Sequence, residues 1–341
     1  MNVANENQHW ISQHLLKRFK TEGAPFQCYQ VDSGEWVPKS LDRTCAADGY
    51  NQLLVSGEAD NTLEAAFSKV ESGLRNTFRT LEAAATRPMT ELPESVYSNL
   101  CWYCSFLKGV APYSKPGAVV SFIVQLNMEL ENGSNSLLRD LNVPEETVRE
   151  MRRQCAMGRK VIIESENLLQ LLYRFQFARN YRGDYSQFLS TKWAVFNSPI
   201  ELPMSDVGLV PMVLETPKAN HYLLPISPNL LLEGIFFHDL SKNSSRAVVR
   251  GMDLTQDEAV YRFDCICASA ITEVICARKL SNVSEARTRA KADGTRFCKI
   301  PDPKRITSSG LVDVGYGNFV FRIVSVEEYV KVVHSYMLPA N

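Results

Sequence analysis

Two glutamates stand seven residues apart in the stretch "LEAAFSKVES", Glu64 and Glu71. On an α-helix that spacing puts both carboxylates on one side, about 10 Å apart along the axis. Such a pair can hold a hard cation, Mg2+ or Mn2+, through oxygen, or work as general acid and base. Both sit at the border of the helix's apolar stripe, from which a carboxylate can reach a polar site while the helix packs. A solvated flank is the alternative, and Arg75 stands at ion-pair spacing from Glu71. Asp206, in the turn "LPMSDVG", is a third carboxylate, although turns also use aspartate for its bonds to nearby amides. His9 supplies an imidazole, a common general acid or base near neutral pH. The candidate catalytic set is therefore His9, Glu64, Glu71 and Asp206, with the three acids as metal ligands.

Four cations are candidates for binding a phosphate. Arg179 falls on the apolar face of a predicted helix at its last turn, where a guanidinium can grip a carboxylate or phosphate, or cap the helix end. Arg287, Arg289 and Lys291 open a basic run that extends to Arg305, either a phosphate-facing surface or a solvated loop.

Other motifs point less far. His9 and His14 are five residues apart, roughly 140° around a helix, and do not share a face. The "CWYC" at Cys101–Cys104 has redox and zinc spacing but lies inside a predicted helix. It reads as buried structural thiols. There is no phosphate-cradling glycine loop and no G-x-S-x-G elbow.

The elements that must position these residues follow from periodicity. Leu63, Phe67, Val70, Leu74 and Leu81 form one narrow stripe, which predicts a long helix after residue 61. Further helices are expected over 94–108, 118–131, 144–157, 160–180 and within 255–280. "FQCYQVDSGEWVPKSL" predicts a hairpin turning at Asp32-Ser33-Gly34. Strands are expected over 192–196, 208–214, 222–225 and 234–238, with "NFVFRIVS" as a last one. The expected fold is α+β and mostly helical: an N-terminal hairpin plus helices, then a small antiparallel sheet with flanking helices. We expect one globular unit, or a subdivision into 1–185 and 186–341.

A net charge of −1 argues against a protein whose whole surface is built for nucleic-acid phosphates, while leaving room for a local basic patch. No apolar run of about 18 residues is present, so no membrane partner is expected. Nine cysteines at irregular spacing predict a reducing, cytoplasmic setting.

The opening "HWISQHLLKRF" is similar to the start of the bacterial domain-of-unknown-function 4238 family, H-aromatic-x-P-x-x-x-L-x-x-F. His9, Trp10, Leu16 and Phe19 match, while Ser12 stands where proline is usual. The hairpin and the alanine-rich loop closing on Tyr50 resemble the family's next segment. Glu64 and Glu71 match its E-x6-E helix, Ser205 and Asp206 its serine-aspartate turn, and "LPISPNLLLEG" the segment that follows. The chain departs from the pattern twice more. Lys108 stands near a usual arginine, and Asp264 near a usual asparagine. The resemblance implies a recurring architecture and supplies no reaction.

Taken together, the residues predict a metal-dependent hydrolase acting on phosphodiesters, with nucleic acid as partner. The alternative is a non-catalytic binding or effector protein with a protein partner, for example in phage–host conflict.

Overall fold

A type of turn that needs a left-handed residue opens the β structure. Gly34, at φ +72°, closes the hairpin between strands Phe26–Gln30 and Trp36–Lys39. In the computed structural model the described residues are 7–48, 50, 53–55, 58–60, 62–110, 114–141, 143–163, 181–212, 219–243, 247–292, 311–316 and 319–329. The chain divides into two compact units, Met1–Pro112 with Asn180–Phe297, and Tyr113–Arg179 with Cys298–Asn341.

In the first unit the hairpin does not stand alone. Strand Glu273–Cys276 pairs antiparallel with Phe26–Gln30, and Met204–Ser205 pairs with Glu273–Cys276, which makes a four-stranded sheet. A larger sheet runs in the order Val210–Met212, Ala219–Ser227, Leu230–Phe237, Lys192–Asn197, Val248–Asp253, Thr90–Glu91. It is mixed, because Val248–Asp253 lies parallel to Lys192–Asn197. The expectation of one small antiparallel sheet is thus overturned, although an α+β fold stands. The physical reason is long-range pairing: the strands that complete both sheets come from beyond residue 247.

Helix Thr62–Ala85 buries Phe67, Val70, Leu74 and Leu81 of the predicted stripe, together with Phe78, while the Leu63 side chain lies outside those described. Each such side chain contributes about 1.5–3 kcal/mol of burial, an upper estimate. The helix packs on Glu94–Val110 and ends before Pro88. Its final carbonyl, Ala85 O, accepts from Asn197 Nδ2 at 3.3 Å, and two residues past the helix Arg87 O accepts from the Gly251 amide at 3.0 Å. A Cβ on Gly251 would lie 2.4 Å from Arg87 O, so only glycine lets this strand approach so closely. A second core lies under helix Gln256–Ser269, where Phe263 and Ile266 pack with Leu223, Leu231, Val210 and Val274.

The second unit packs helices Ser114–Asn132, Ser136–Asp140 and Glu145–Ala156 on a three-stranded sheet, Leu311–Tyr316, Phe319–Ser325 and Arg159–Ile163. Its core includes Phe122, Leu126, Leu138, Met151, Val161 and Val324. Residues 159–163 form a strand where the sequence predicts the start of a helix, and 164–180 lie outside the described residues. No helix among the described residues is long and apolar enough to cross a membrane.

Candidate site around the segment His9–Ser12

The segment from His9 to Ser12 holds one predicted site residue and reaches two others, Asp206 and Glu71. His9 ends the short strand Asn7–His9, which pairs with Ala46–Asp48. Its Nε2 lies 3.1 Å from Leu41 O. A carbonyl can only accept, so Nε2 carries the proton, and in the neutral ring Nδ1 keeps a lone pair. Trp10 donates its indole N–H to Asp206 O at 2.8 Å and packs at a 37° tilt on Tyr50, ring centroids 4.7 Å apart. The Trp10 amide bonds Cys45 O at 3.0 Å. Cys45 is the sole non-glycine residue at positive φ, +51°, among those described. Such a conformation is held only where its surroundings over-determine it.

Ser12, the residue that replaces proline, caps helix Gln13–Leu16 by accepting the His14 amide at 3.1 Å. Its hydroxyl also donates to the Glu71 carboxyl. Glu71 is half-buried, and burial pushes its pKa above the ordinary carboxylate value. The Ser12 hydroxyl opposes this shift and the neighbouring Glu64 adds to it. Glu64 lies on one side of the helix with Glu71 and is half-buried as well.

Asp206 is close to the same segment, but its carboxylate points elsewhere. It is fully buried and accepts from the amides of Ile271 (2.9 Å), Thr272 (2.7 Å) and Glu273 (3.3 Å) and from the Thr272 hydroxyl (2.6 Å). Burial raises its pKa against the pull of those donors. These bonds hold the turn between helix Gln256–Ser269 and strand Glu273–Cys276. Asp206 is thus a fold-making residue, and the metal set of Glu64, Glu71 and Asp206 is not assembled. Among the described residues no group of three or more histidine, cysteine or acidic side chains is placed to hold a metal ion.

Two of the four candidate cations, Arg287 and Arg289, have partners in the fold. Arg287 gives its guanidinium to Cys267 O (2.5 Å) and Ala270 O (3.1 Å), the open end of helix Gln256–Ser269. Arg289 forms a two-pronged pair with Asp264, 2.8 and 2.7 Å. Lys291 lies in helix Val283–Ala292. Arg179 and residues 293–310 lie outside the described residues. Lys108, near the family's arginine position, pairs with Asp184 at 2.6 Å.

Two buried polar clusters escape the sequence reading. Glu273 takes the Lys39 ammonium, the Gln30 amide and the Cys45 N–H beneath the four-stranded sheet. Glu233 takes His221 Nε2 at 2.5 Å and Arg262 Nε at 2.7 Å. Each glutamate interrupts an apolar run, "ITEVIC" and "LLLEGIFF", and a lone charge in such a run is the signal that marks them.

A family model described as "Protein of unknown function (DUF4238)" matches residues 7–262. The chain belongs to this family. The DUF4238 match takes in His9, both glutamates and Asp206 but stops short of strand Glu273–Cys276 and of Arg287 and Arg289. No curated protein and no solved structure matches this DUF4238 chain.

Proposed function

We propose that this chain is a hydrolase working by acid–base chemistry at Glu64 and Glu71, with phosphodiesters as its substrate class. One observation carries the reading: Glu71 is a half-buried carboxyl with a raised pKa, beside a second carboxylate and bonded to the segment that bears His9. A carboxyl with a raised pKa holds its proton to higher pH than a free one, and that proton can go to a departing oxygen. His9, oriented by Leu41 O, offers Nδ1 to take a proton from water. Glu64 supplies the like charge that keeps Glu71 acidic in form. The eight described cysteines are joined by no disulfide, which supports a cytoplasmic setting.

The test is turnover of bis(4-nitrophenyl) phosphate and of single-stranded RNA and DNA between pH 5 and 9, with and without EDTA. Turnover that survives EDTA and drops by about 10²–10⁴ in Glu71→Gln supports the proposal. Turnover abolished by EDTA would point to Mg2+ or Mn2+ bound by Glu64 and Glu71 with water completing the shell. In that case millimolar metal raises stability, by about 2.7 kcal/mol at a hundred times its Kd.

Binding without catalysis is the second reading. It is favoured by the way Asp206, Arg287 and Arg289 each satisfy a neighbour in the fold. Absence of turnover on all three substrates at every pH would leave this reading in place.

A further inference from the structure

Strand Glu273–Cys276 is buried at all four positions, and its first residue is a carboxylate. A buried charge is costly unless bonds hold it, and an apolar side chain would carry no such cost there. The Glu273 carboxylate is held by the two ends of one loop. One oxygen takes the Lys39 ammonium and, at 3.3 Å, the Gln30 side-chain amide, while the other takes the Cys45 N–H at 3.4 Å. Between Lys39 and Cys45 the chain makes the short helical turn Leu41–Arg43. The Thr44 hydroxyl closes that turn on Ser40 O at 2.8 Å, and the Thr44 amide on Leu41 O at 3.3 Å.

This loop is what orients His9. Leu41 O, inside it, accepts from His9 Nε2 at 3.1 Å. Ala46, the residue after Cys45, is the partner of His9 between strands, and Cys45 O takes the Trp10 amide at 3.0 Å. We propose that Glu273 is a positioning residue for His9, a staple that closes the loop from Lys39 to Cys45 and so keeps Leu41 O against the imidazole. The role rests on the reading of His9 as the group that takes a proton from water. With Leu41 O in place, Nε2 keeps its hydrogen and the lone pair stays on Nδ1. With the staple open, the ring loses its fixed acceptor and the hydrogen divides between the two nitrogens. Glu273 itself neither gives nor takes a proton.

The ratio of the two His9 tautomers, read at pH 8 by long-range 1H–15N NMR of the imidazole, is the test. In Glu273→Ala the ratio of Nε2–H to Nδ1–H is expected to fall about fivefold, the worth of one ordinary hydrogen bond. Glu273→Gln, whose amide oxygen can still accept the Cys45 N–H, is expected to keep most of the ratio. Glu233→Ala unsettles the other sheet of the same unit and is expected to leave the ratio as it is, which separates positioning from loss of stability. A ratio unchanged in Glu273→Ala, or a fall of the same size in Glu233→Ala, would overturn the proposal. If Glu273→Ala does not fold, Glu273→Leu with Lys39→Met removes both charges together and is read the same way. The tautomer ratio needs no turnover. A chain that hydrolyses no phosphodiester yet shows the fall retires the hydrolase reading and keeps the staple, and turnover with an unmoved ratio does the reverse.

Discussion

One oxygen of Asp206 accepts both the backbone amide of Thr272, at 2.7 Å, and the hydroxyl of the same threonine, at 2.6 Å. With the amides of Ile271 and Glu273 this makes a four-donor clamp on the turn that delivers strand Glu273–Cys276 to the hairpin. Trp10 ties the Asp206 backbone to the candidate site. The first prediction follows from the clamp. Asp206→Ala leaves the buried Glu273 amide and the part-buried Ile271 and Thr272 amides without this acceptor, and costs about 2–4 kcal/mol in urea unfolding. A loss under about 1 kcal/mol would show that the turn holds itself.

Glu71 gives a dependence on pH. Burial, then Glu64, raise its pKa in the fold above its value in the unfolded chain, with Ser12 opposing. The folded state then binds more protons over the interval between the two values. Stability is full below the ordinary carboxylate range and falls as pH rises through the raised Glu71 value. Glu71→Gln removes that part of the slope, measured as unfolding free energy against pH. An unchanged slope in the variant would count against a perturbed Glu71.

Glu233 has the opposite sign. Burial pushes its pKa up, but the bonds to His221 and Arg262 outweigh it and the net shift is downward. Its contribution is present above the ordinary carboxylate range and is lost as pH falls through the depressed value. Glu233→Ala strands a half-buried guanidinium and a buried imidazole, and costs about 2–4 kcal/mol at pH 7. Replacing Glu233, His221 and Arg262 together with apolar residues of similar volume is expected to cost far less. A triple variant as unstable as Glu233→Ala would contradict that account.

Asn127 protects a bare strand in the second unit. Its side chain donates to Val161 O at 2.9 Å and to Ile123 O at 2.9 Å, and accepts the Val161 amide at 3.0 Å. Val161 belongs to Arg159–Ile163, an outer strand of its sheet. In Asn127→Leu the amide hydrogen of Val161 is expected to exchange at least tenfold faster, about 1.4 kcal/mol of lost protection. Equal exchange would mean that the bonds do not guard this edge.

The thiols should be silent. Burial pushes Cys28 and Cys101 up to about 12, and Cys45, Cys104 and Cys276 well above the ordinary thiol value. The thiolate is the reactive form, so native protein mixed with iodoacetamide is expected to label Cys155, which is half-exposed, ahead of the other described cysteines. Rapid labelling of Cys101 or Cys104 by mass spectrometry would reopen a redox role for "CWYC".

Much of the first unit is written locally. The stripe from Phe67 to Leu81 and the Asp32-Ser33-Gly34 turn each need only neighbours a few residues away, and both stand where the periodicity puts them. Strand Glu273–Cys276 is different. It continues an apolar run that begins as helix, and its extended form comes from pairing with residues 27–30. The site was half legible for the same reason. Helical spacing puts Glu64 and Glu71 on one side of their helix, but no spacing shows where Asp206 aims, because its donors lie some 65 residues later in the chain. Ser12 looked like a lapse from the family's proline, yet it caps a helix and reaches Glu71.

The pairing of Phe26–Gln30 with Glu273–Cys276 also sets a timetable on the ribosome. Roughly 240 residues separate the two strands, which is about 12–50 s of elongation at 5–20 residues per second. Through that interval the nascent hairpin carries one uncovered margin, and a holdase or a neighbouring nascent chain has first access to it. Release of the polypeptide at the family boundary, residue 262, would make that exposure permanent.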